Sequence, residues 1–433
     1  MFSLTYEFKL KPTFSQVSLF EDWLEQCRRV YNYALAERKA WYKSRSCLVN
    51  ACSLHSEYII PADAKRPTYA SQCKSLTAAK EKIPALRVVQ SQVLQQTLKR
   101  LEQAFVSMWE RNFGFPRYKK PGRCKSFVFP QQGKSPLKNG MINLPKIGWV
   151  KFRQSREIPG DSLVKQARIV KRSSGWYVML SLQWGVSVPQ PIPSGEAVGI
   201  DVGLISFIAT SSGLTLPRSR FFVDLQRKLK LLQQRVNRKK LGSNNWRKAQ
   251  TKVAKLHEHI SNTRKNFHWR TAHLLCNQAG MIFVEDLNCK ALAAGMLAKH
   301  CLDAAWGQFF NILKQCCFKR GVFFMEVDSR KTSQICPNCG VETGKKDLSE
   351  RIHKCNSCGY TTDRDVAAAQ VVLRRGLAAV GHTVKMLPGG QGRWTPYELR
   401  IFALIGRRVS TNHLRIGATT GRLRLQNAIF CCS

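Results

Sequence analysis

The chain has 433 residues, with 70 Lys and Arg against 27 Asp and Glu, a formal net charge of +43, and 44% of its residues are hydrophobic. Such an excess calls for a polyanionic partner on the scale of about 40 phosphates, while the apolar content excludes a disordered basic tail and suffices for the cores of two or more domains. The lack of any run of about eighteen apolar residues, and of a basic stretch followed by an apolar one at the start, predicts a soluble, unsecreted protein with no membrane partner.

Residues 2–10 alternate as a short strand. After Pro12 and Thr13, apolar residues spaced by three and four from Phe14 to about Tyr42 predict a helix. Residues 43–85 are polar and broken by Pro61, Pro67 and Pro84, and a second helical run follows from Leu86 to about Asn112, so 13–114 reads as a helical lobe. The basic, aromatic turn Phe115-Pro116-Arg117-Tyr118-Lys119-Lys120-Pro121-Gly122 leads into short β-like runs at Ser126–Phe129, Trp149–Phe152 and Trp176–Trp184. These make 115–188 a small barrel or sheet, to which the strand in 1–12 is assigned. The proline-rich stretch that follows predicts a linker at 189–196.

Beyond the linker, Ala197-Val198-Gly199-Ile200-Asp201-Val202-Gly203 reads as a buried strand ending in a carboxylate and a tight turn, with Leu204–Thr210 as a paired strand. Residues 224–273 form a long basic helical region broken near Gly242-Ser243, and Met281–Leu287 repeats the apolar strand followed by a carboxylate. A helix from about Asp303 to Lys319, a strand at Val322–Val327, a cysteine module and a helix capped by Thr362 and Asp363 complete the pattern. Residues 383–433 lack periodicity and read as a basic flexible tail. The expected class is α+β and multidomain.

Of sixteen cysteines, twelve are scattered, whereas Cys336-Pro337-Asn338-Cys339-Gly340 and Cys355-Asn356-Ser357-Cys358-Gly359 form paired Cys-x-x-Cys units. Fifteen residues between Cys339 and Cys355 match the spacing of a zinc ribbon at 333–361, in which four thiolates converge on one structural Zn²⁺. A redox dithiol would need a βαβ context that is absent. Zinc thiolates also indicate a reducing compartment.

Asp201, Glu285 and Asp365 each stand at the end of an apolar strand or the start of a helix. Converging there, they would bind Mg²⁺ through hard oxygen ligands; taken singly, composition favours reading each as a plain strand-end or N-cap residue. Arg117, Tyr118, Lys119 and Lys120 mix cations with an aromatic at a turn, which suits either phosphate and base contact or a plain surface loop. The cations of 224–273, Arg227, Lys228, Arg235, Arg238, Lys239 and Lys248 among them, could track a nucleic-acid backbone or be a solvated helix face.

Taken in order, Gly199-Ile200-Asp201-Val202-Gly203, Val284-Glu285-Asp286-Leu287, Thr332-Ser333-Gln334 and Asp363-Arg364-Asp365-Val366-Ala367-Ala368 resemble the split RuvC nuclease and zinc ribbon of the TnpB family. Those proteins are transposon-encoded, RNA-guided DNA nucleases similar to compact type V CRISPR effectors. Tyr6–Pro12 with Gln16, Arg29-Val30-Tyr31-Asn32, Phe113–Lys119 and Asn262–His268 extend the resemblance over most of the chain. One departure is Ala367, where the family has an Asn.

The resemblance implies an RNase H-like (RuvC-like) nuclease in 197–332 and 362–382 that carries the zinc ribbon, and a small β-barrel wedge domain whose helical insert is a recognition lobe. It implies Asp201, Glu285 and Asp365 as catalytic ligands of two Mg²⁺ ions, Cys336, Cys339, Cys355 and Cys358 as ligands of one Zn²⁺, and Arg264, Lys265, His268, Ser333, Gln334 and Arg364 as further nucleic-acid contacts. The implied partners are a guide RNA and double-stranded target DNA, engaged by a monomer in the bacterial cytoplasm at the nucleoid. Two alternatives stay open: an RNA-guided binder that does not cut, and a non-catalytic zinc-ribbon RNA-binding protein.

Overall fold

The computed structural model describes residues 2–46, 60–61, 63–133, 136–160, 162–185, 188–347 and 349–381; the expected tail lies outside the described residues. The chain divides into two compact units between Pro189 and Gln190.

The first unit holds seven strands, β1 (Phe2–Lys11), β2 (Ser126–Phe129), β3 (Leu137–Lys138), β4 (Met141–Leu144), β5 (Gly148–Arg153), β6 (Leu163–Arg172) and β7 (Gly175–Trp184), in one sheet of order β2-β6-β7-β1-β5-β4-β3. Every neighbouring pair is antiparallel. β1 sits in the middle, with Phe8 opposite Val178 and Leu10 opposite Phe152. Helices α1 (Phe14–Ser46), α2 (Tyr69–Lys82), α3 (Pro84–Val88) and α4 (Ser91–Arg111) therefore interrupt the sheet in sequence but not in space. Their apolar faces share its core, where Phe20 and Trp23 of α1 meet Phe127 of β2 edge-on or tilted.

Helix α2 falls in the stretch expected to be irregular. It starts at a capping box between Thr68 and Ser71 and buries only Gln72 and Leu76, so its apolar periodicity is too thin to register. Strands β3, β4 and β6 also go beyond expectation; β6 alternates outward Lys and Arg with buried Ala167 and Ile169.

The second unit is built on β8 (Ala197–Asp201), β9 (Ser206–Thr210), β10 (Thr215–Pro217), β11 (Met281–Glu285) and β12 (Phe323–Val327), ordered β10-β9-β8-β11-β12. β8, β11 and β12 run parallel, and β9 and β10 are antiparallel additions. The helices are α5 (Gln226–Asn237), α6 (Asn244–Gln278), α7 (Cys289–Leu292), α8 (Ala298–Ala304), α9 (Trp306–Arg320) and α10 (Arg364–Ala379); the hairpin β13 (Ile352–Lys354) and β14 (Thr361–Asp363) precedes α10. Ile282 and Val284 of β11 pack into the cluster with Phe267 and Phe309, on α6 and α9, while Met281 and Phe283 pack with Val372 and Leu377 of α10. Both faces are thus covered, which is why β11 is apolar up to Glu285 rather than alternating. The helix expected at 303–319 is two, broken at Ala305 with φ 54°. Among the described residues no helix is long and apolar enough to cross a membrane.

Two glycines set how closely α10 approaches the sheet. A Cβ on Gly199 would lie 2.2 Å from the carbonyl oxygen of Ala369 and 2.6 Å from the amide nitrogen of Leu373, and one on Gly376 would lie 2.2 Å from the Phe283 ring. Gly199→Ala is therefore expected to destabilise the second unit by about 2–3 kcal/mol or prevent its folding. Gly295→Ala, with nothing within 4 Å of its new Cβ, should stay within about 0.5 kcal/mol. Denaturant melts of the two variants check this; equal stability would mean that α10 can slide.

Candidate active site and metal centre

The parallel register that pairs Val284 with Ile200 puts Glu285 and Asp201 side by side at the ends of β11 and β8. Asp365 comes to them from α10, whose path over Gly199 brings the helix start to the same edge: a Cβ on Gly203, in the turn after Asp201, would lie 3.8 Å from an Asp365 carboxylate oxygen. The helix start is fixed by Asp363, whose side chain accepts from the backbone N–H of Asp365 at 2.8 Å and of Val366 at 3.3 Å. Asp363 is thus the cap and Asp365 the acid turned to the strand ends.

Asp201 feels both of the other acids. Burial, then the Glu285 and Asp365 carboxylates, push the Asp201 pKa well above its ordinary value, against a pull from the Val202 N–H and Arg364. Burial likewise raises Glu285, against the Thr332 hydroxyl and Arg375. It raises Asp365 too, with Asp363 adding to it and Arg351 and Arg364 opposing. The Arg351 guanidinium stands 3.7 Å from Asp365 and is 44% exposed, so it neutralises little. Thr332 Oγ1 donates to Glu285 Oε1 at 2.5 Å and is buried. Sequence reasoning placed Thr332 in a motif but took Ser333 and Gln334 from it as contacts. The residue that touches the acid is Thr332, and a buried hydroxyl just before a cysteine pair was the available signal. Ala367 is 2% exposed on α10.

Sγ atoms of Cys336, Cys339, Cys355 and Cys358 all lie within 4.8 Å of one another, the one such group of metal-ligating side chains among the described residues. Cys336 and Cys358 are 3.6 Å apart, as are Cys339 and Cys355. A tetrahedron with Zn–S bonds of about 2.3 Å has edges of about 3.8 Å, whereas a disulfide needs about 2.05 Å. Each half is built alike: Gly340 N donates to Cys336 O and Gly359 N to Cys355 O at 2.9 Å, with φ 81° and 70° at the two glycines. The four-cysteine cluster can hold zinc.

The expected nucleic-acid residues separate into two groups. His268 is fully buried, stacked on Phe207 at 5.4 Å, with Nε2 3.0 Å from the Ala304 carbonyl, and burial lowers its pKa to about 4. One turn earlier, Arg264 donates to Leu302 O and Asp303 O at 2.7 and 3.3 Å. The pair closes the C-terminal end of α8, where the carbonyls lack helical partners, and His268 is corrected from a nucleic-acid contact to a core residue. Lys119 is a tether: its Nζ lies 3.7 Å from the Tyr31 ring centroid, and Asn32 grips its backbone at both N and O, at 2.8 and 2.9 Å. Arg364 is bound to the ribbon through Asp347 O at 2.5 Å. Arg117, Tyr118, Lys120 and Lys265 are exposed, and Ser333 and Gln334 half-buried.

Three family models match the chain: "Probable transposase" over residues 180–295, "Cas12f1-like, TNB domain" over 306–372 and "Helix-turn-helix domain" over 1–47. The last spans β1 and the single helix α1. The "Putative RNA-guided DNA endonuclease InsQ" of Escherichia coli K12 is 30% identical over 398 residues, 88% of this chain and 92% of the relative. A Streptomyces pristinaespiralis protein of the same description is 29% identical over 381 residues, covering 86% and 89%. Among solved structures, a Cas12f1-sgRNA-target DNA complex aligns over 87% of this chain and 100% of the other at 17% identity and a TM-score of 0.33. With that identity to InsQ sustained over nearly the whole chain, the protein belongs to the TnpB family, the IS605 OrfB transposase-related proteins.

Proposed function

We propose that the chain is a guide-RNA-directed DNA endonuclease whose second unit is an RNase H-like, RuvC-type nuclease acting at Asp201, Glu285 and Asp365. One observation carries the reading: carboxylates from two parallel strand ends and a helix start meet at one edge, where burial raises the pKa of all three and the Glu285 and Asp365 charges raise that of Asp201 further. Buried acids that repel one another without a bidentate protein cation call for a metal. The donor set is all oxygen, which fits Mg²⁺.

The three acids would hold the ions, taken as a pair about 3.5–4 Å apart, the spacing that serves both the attacking and the departing oxygen of a phosphodiester. Mg²⁺ held there would supply an activated water and charge stabilisation for the departing oxygen of the phosphodiester. The chain's own part is positioning. Thr332 fixes the Glu285 carboxylate by its hydrogen bond, Asp363 fixes the helix that presents Asp365, and Gly199 admits that helix. The four cysteines would hold a structural Zn²⁺, leaving no open coordination position for chemistry. Guide pairing would select the DNA and the protein would read a short flanking motif.

Cleavage of a flanking-motif library by protein carrying its co-purified RNA should fall on the order of 10³-fold or more in Asp201→Ala, the loss of several kcal/mol of charge stabilisation. RNA retention should be unchanged. Thr332→Val should lose about 10–100-fold, as outer-shell partners do. Equal cutting by wild type and Asp201→Ala would reject the site.

Because the folded acids have raised pKa values, they favour folding least once ionised: their stability contribution declines as pH rises from the ordinary carboxylate range through the raised values. Asp201→Asn in EDTA should thus melt higher than wild type, by an increment that grows from pH 4 to pH 8. Added Mg²⁺ should raise wild type and leave the variant unmoved. A variant that melts lower at pH 8 would contradict the electrostatic account.

Cys339→Ser should lower bound zinc from one per chain to substoichiometric by elemental analysis. It should also lower the stability of the ribbon, since metal binding energy here is folding energy. Full zinc occupancy in Cys339→Ser would exclude the four-thiolate site.

A further inference from the structure

Helices α5 and α6, joined by the turn 238–243, carry eleven Lys or Arg and no Asp or Glu between Leu225 and His257. Their lower halves pack normally, with Leu229, Leu256 and Ile260 buried in the main cluster of the unit. Toward the turn the facing positions change character. A cleft of about 530 Å³ opens between the helices, and Arg235, Arg238, Lys239, Lys248 and Lys252 line it together with Asn245.

Facing positions of two packed helices are where apolar residues belong. Here Arg235 of α5 and Lys248 and Lys252 of α6 line the cleft with Arg238 and Lys239 of the turn, all five exposed, and among the described residues none of the five enters an ion pair. Lys248 and Lys252 are also like-charge neighbours at i and i+4 on α6, which weakens that helix. A cluster whose like charges oppose their own gathering is explained by an anion that seats among them. Five cations on both walls of one small cleft match several phosphates at close quarters. A folded RNA brings backbone segments that near to one another, whereas a single extended strand does not.

We propose that the α5–α6 cleft is a docking site for the phosphodiester backbone of a folded RNA, and that this hairpin grips the scaffold part of the guide. The proposal rests on the reading of the chain as a guide-RNA carrier, and its test measures binding rather than cleavage, so the two fail separately.

Full-length protein, freed of nucleic acid, is titrated with a fluorescein-labelled RNA hairpin and with a labelled duplex DNA across a salt series. Replacing the five cations by Gln should reduce the slope of log K against log salt for the RNA hairpin by about 4. Binding at physiological salt should weaken at least about tenfold, and the loss on the DNA should be clearly smaller. Charge-preserving Arg235→Lys with Arg238→Lys should keep the wild-type slope. With the repulsion gone, the five-fold variant should melt no lower than wild type. If it melts lower, Arg238→Gln, Lys239→Gln and Lys248→Gln together should still reduce the slope by about 2–3. An unchanged slope overturns the docking site. Equal losses on RNA and DNA, or a loss on DNA alone, overturn its assignment to RNA.

Discussion

The closeness of α10 to the sheet is the constraint on which the second unit depends. Gly199 lets helix backbone cross strand backbone where any side chain would collide, and Gly376 does the same against the Phe283 ring. From Ala369, which touches Gly199, the helix climbs one turn back to Asp365, so the crossing point fixes where that acid stands. The β13–β14 hairpin of the cysteine module is tied to the same helix, because Asp363 both ends β14 and caps α10. A displacement of α10 would therefore move an acid and the cysteine module together. By strand alternation Glu285 falls on the same face of β11 as Met281 and Phe283, the face α10 covers, where it is buried and bonded to Thr332.

Much of this was legible in the sequence because the responsible signals are local. An apolar run stopping at a carboxylate marks a buried strand reaching an open edge, Thr-Asp before an alanine-rich run marks a helix start, and Cys-x-x-Cys-Gly marks a turn under a metal. What stayed hidden depended on partners remote in sequence. His268 and Arg264 lie on a basic helix and resemble a nucleic-acid motif, yet they turn to the end of α8, some 35 residues later. Nothing in their own neighbourhood reveals that those carbonyls need donors. Lys119 is a similar case: Tyr31 and Asn32 belong to one family-like motif and Lys119 to another, and the two meet because each completes the other. A motif reports that residues are required together, not whether a ligand or the fold requires them.

Helix α2 escaped for a different reason. It buries one leucine and one glutamine, with Tyr69, Cys73 and Ala79 half-buried against the same core, and that glutamine accepts from buried Arg38 at 3.0 Å while donating to Ala34 O. The stripe is made of small or half-polar side chains and is supplemented by a polar network and a capping box, so hydropathy periodicity registers it weakly.

The second unit gathers charge of opposite sign in two places, acids at the strand ends and cations in the α5–α6 cleft, and in neither does the protein supply adequate counter-charge. Elsewhere the chain does pair its charges: Arg38 and Glu102 form an ion pair of 2.5 Å with Arg38 buried. Like charges held together by a fold lower its stability until something of the opposite sign arrives, and the same repulsion makes the arrival favourable. On the proposed reading, divalent cations would relieve the first cluster and phosphates the second. Both ligands would then bind the folded state preferentially, and each would add its binding free energy to that of folding. A guide RNA so held would be more than a reader of sequence: it would supply part of the electrostatic completeness that the amino-acid sequence leaves open.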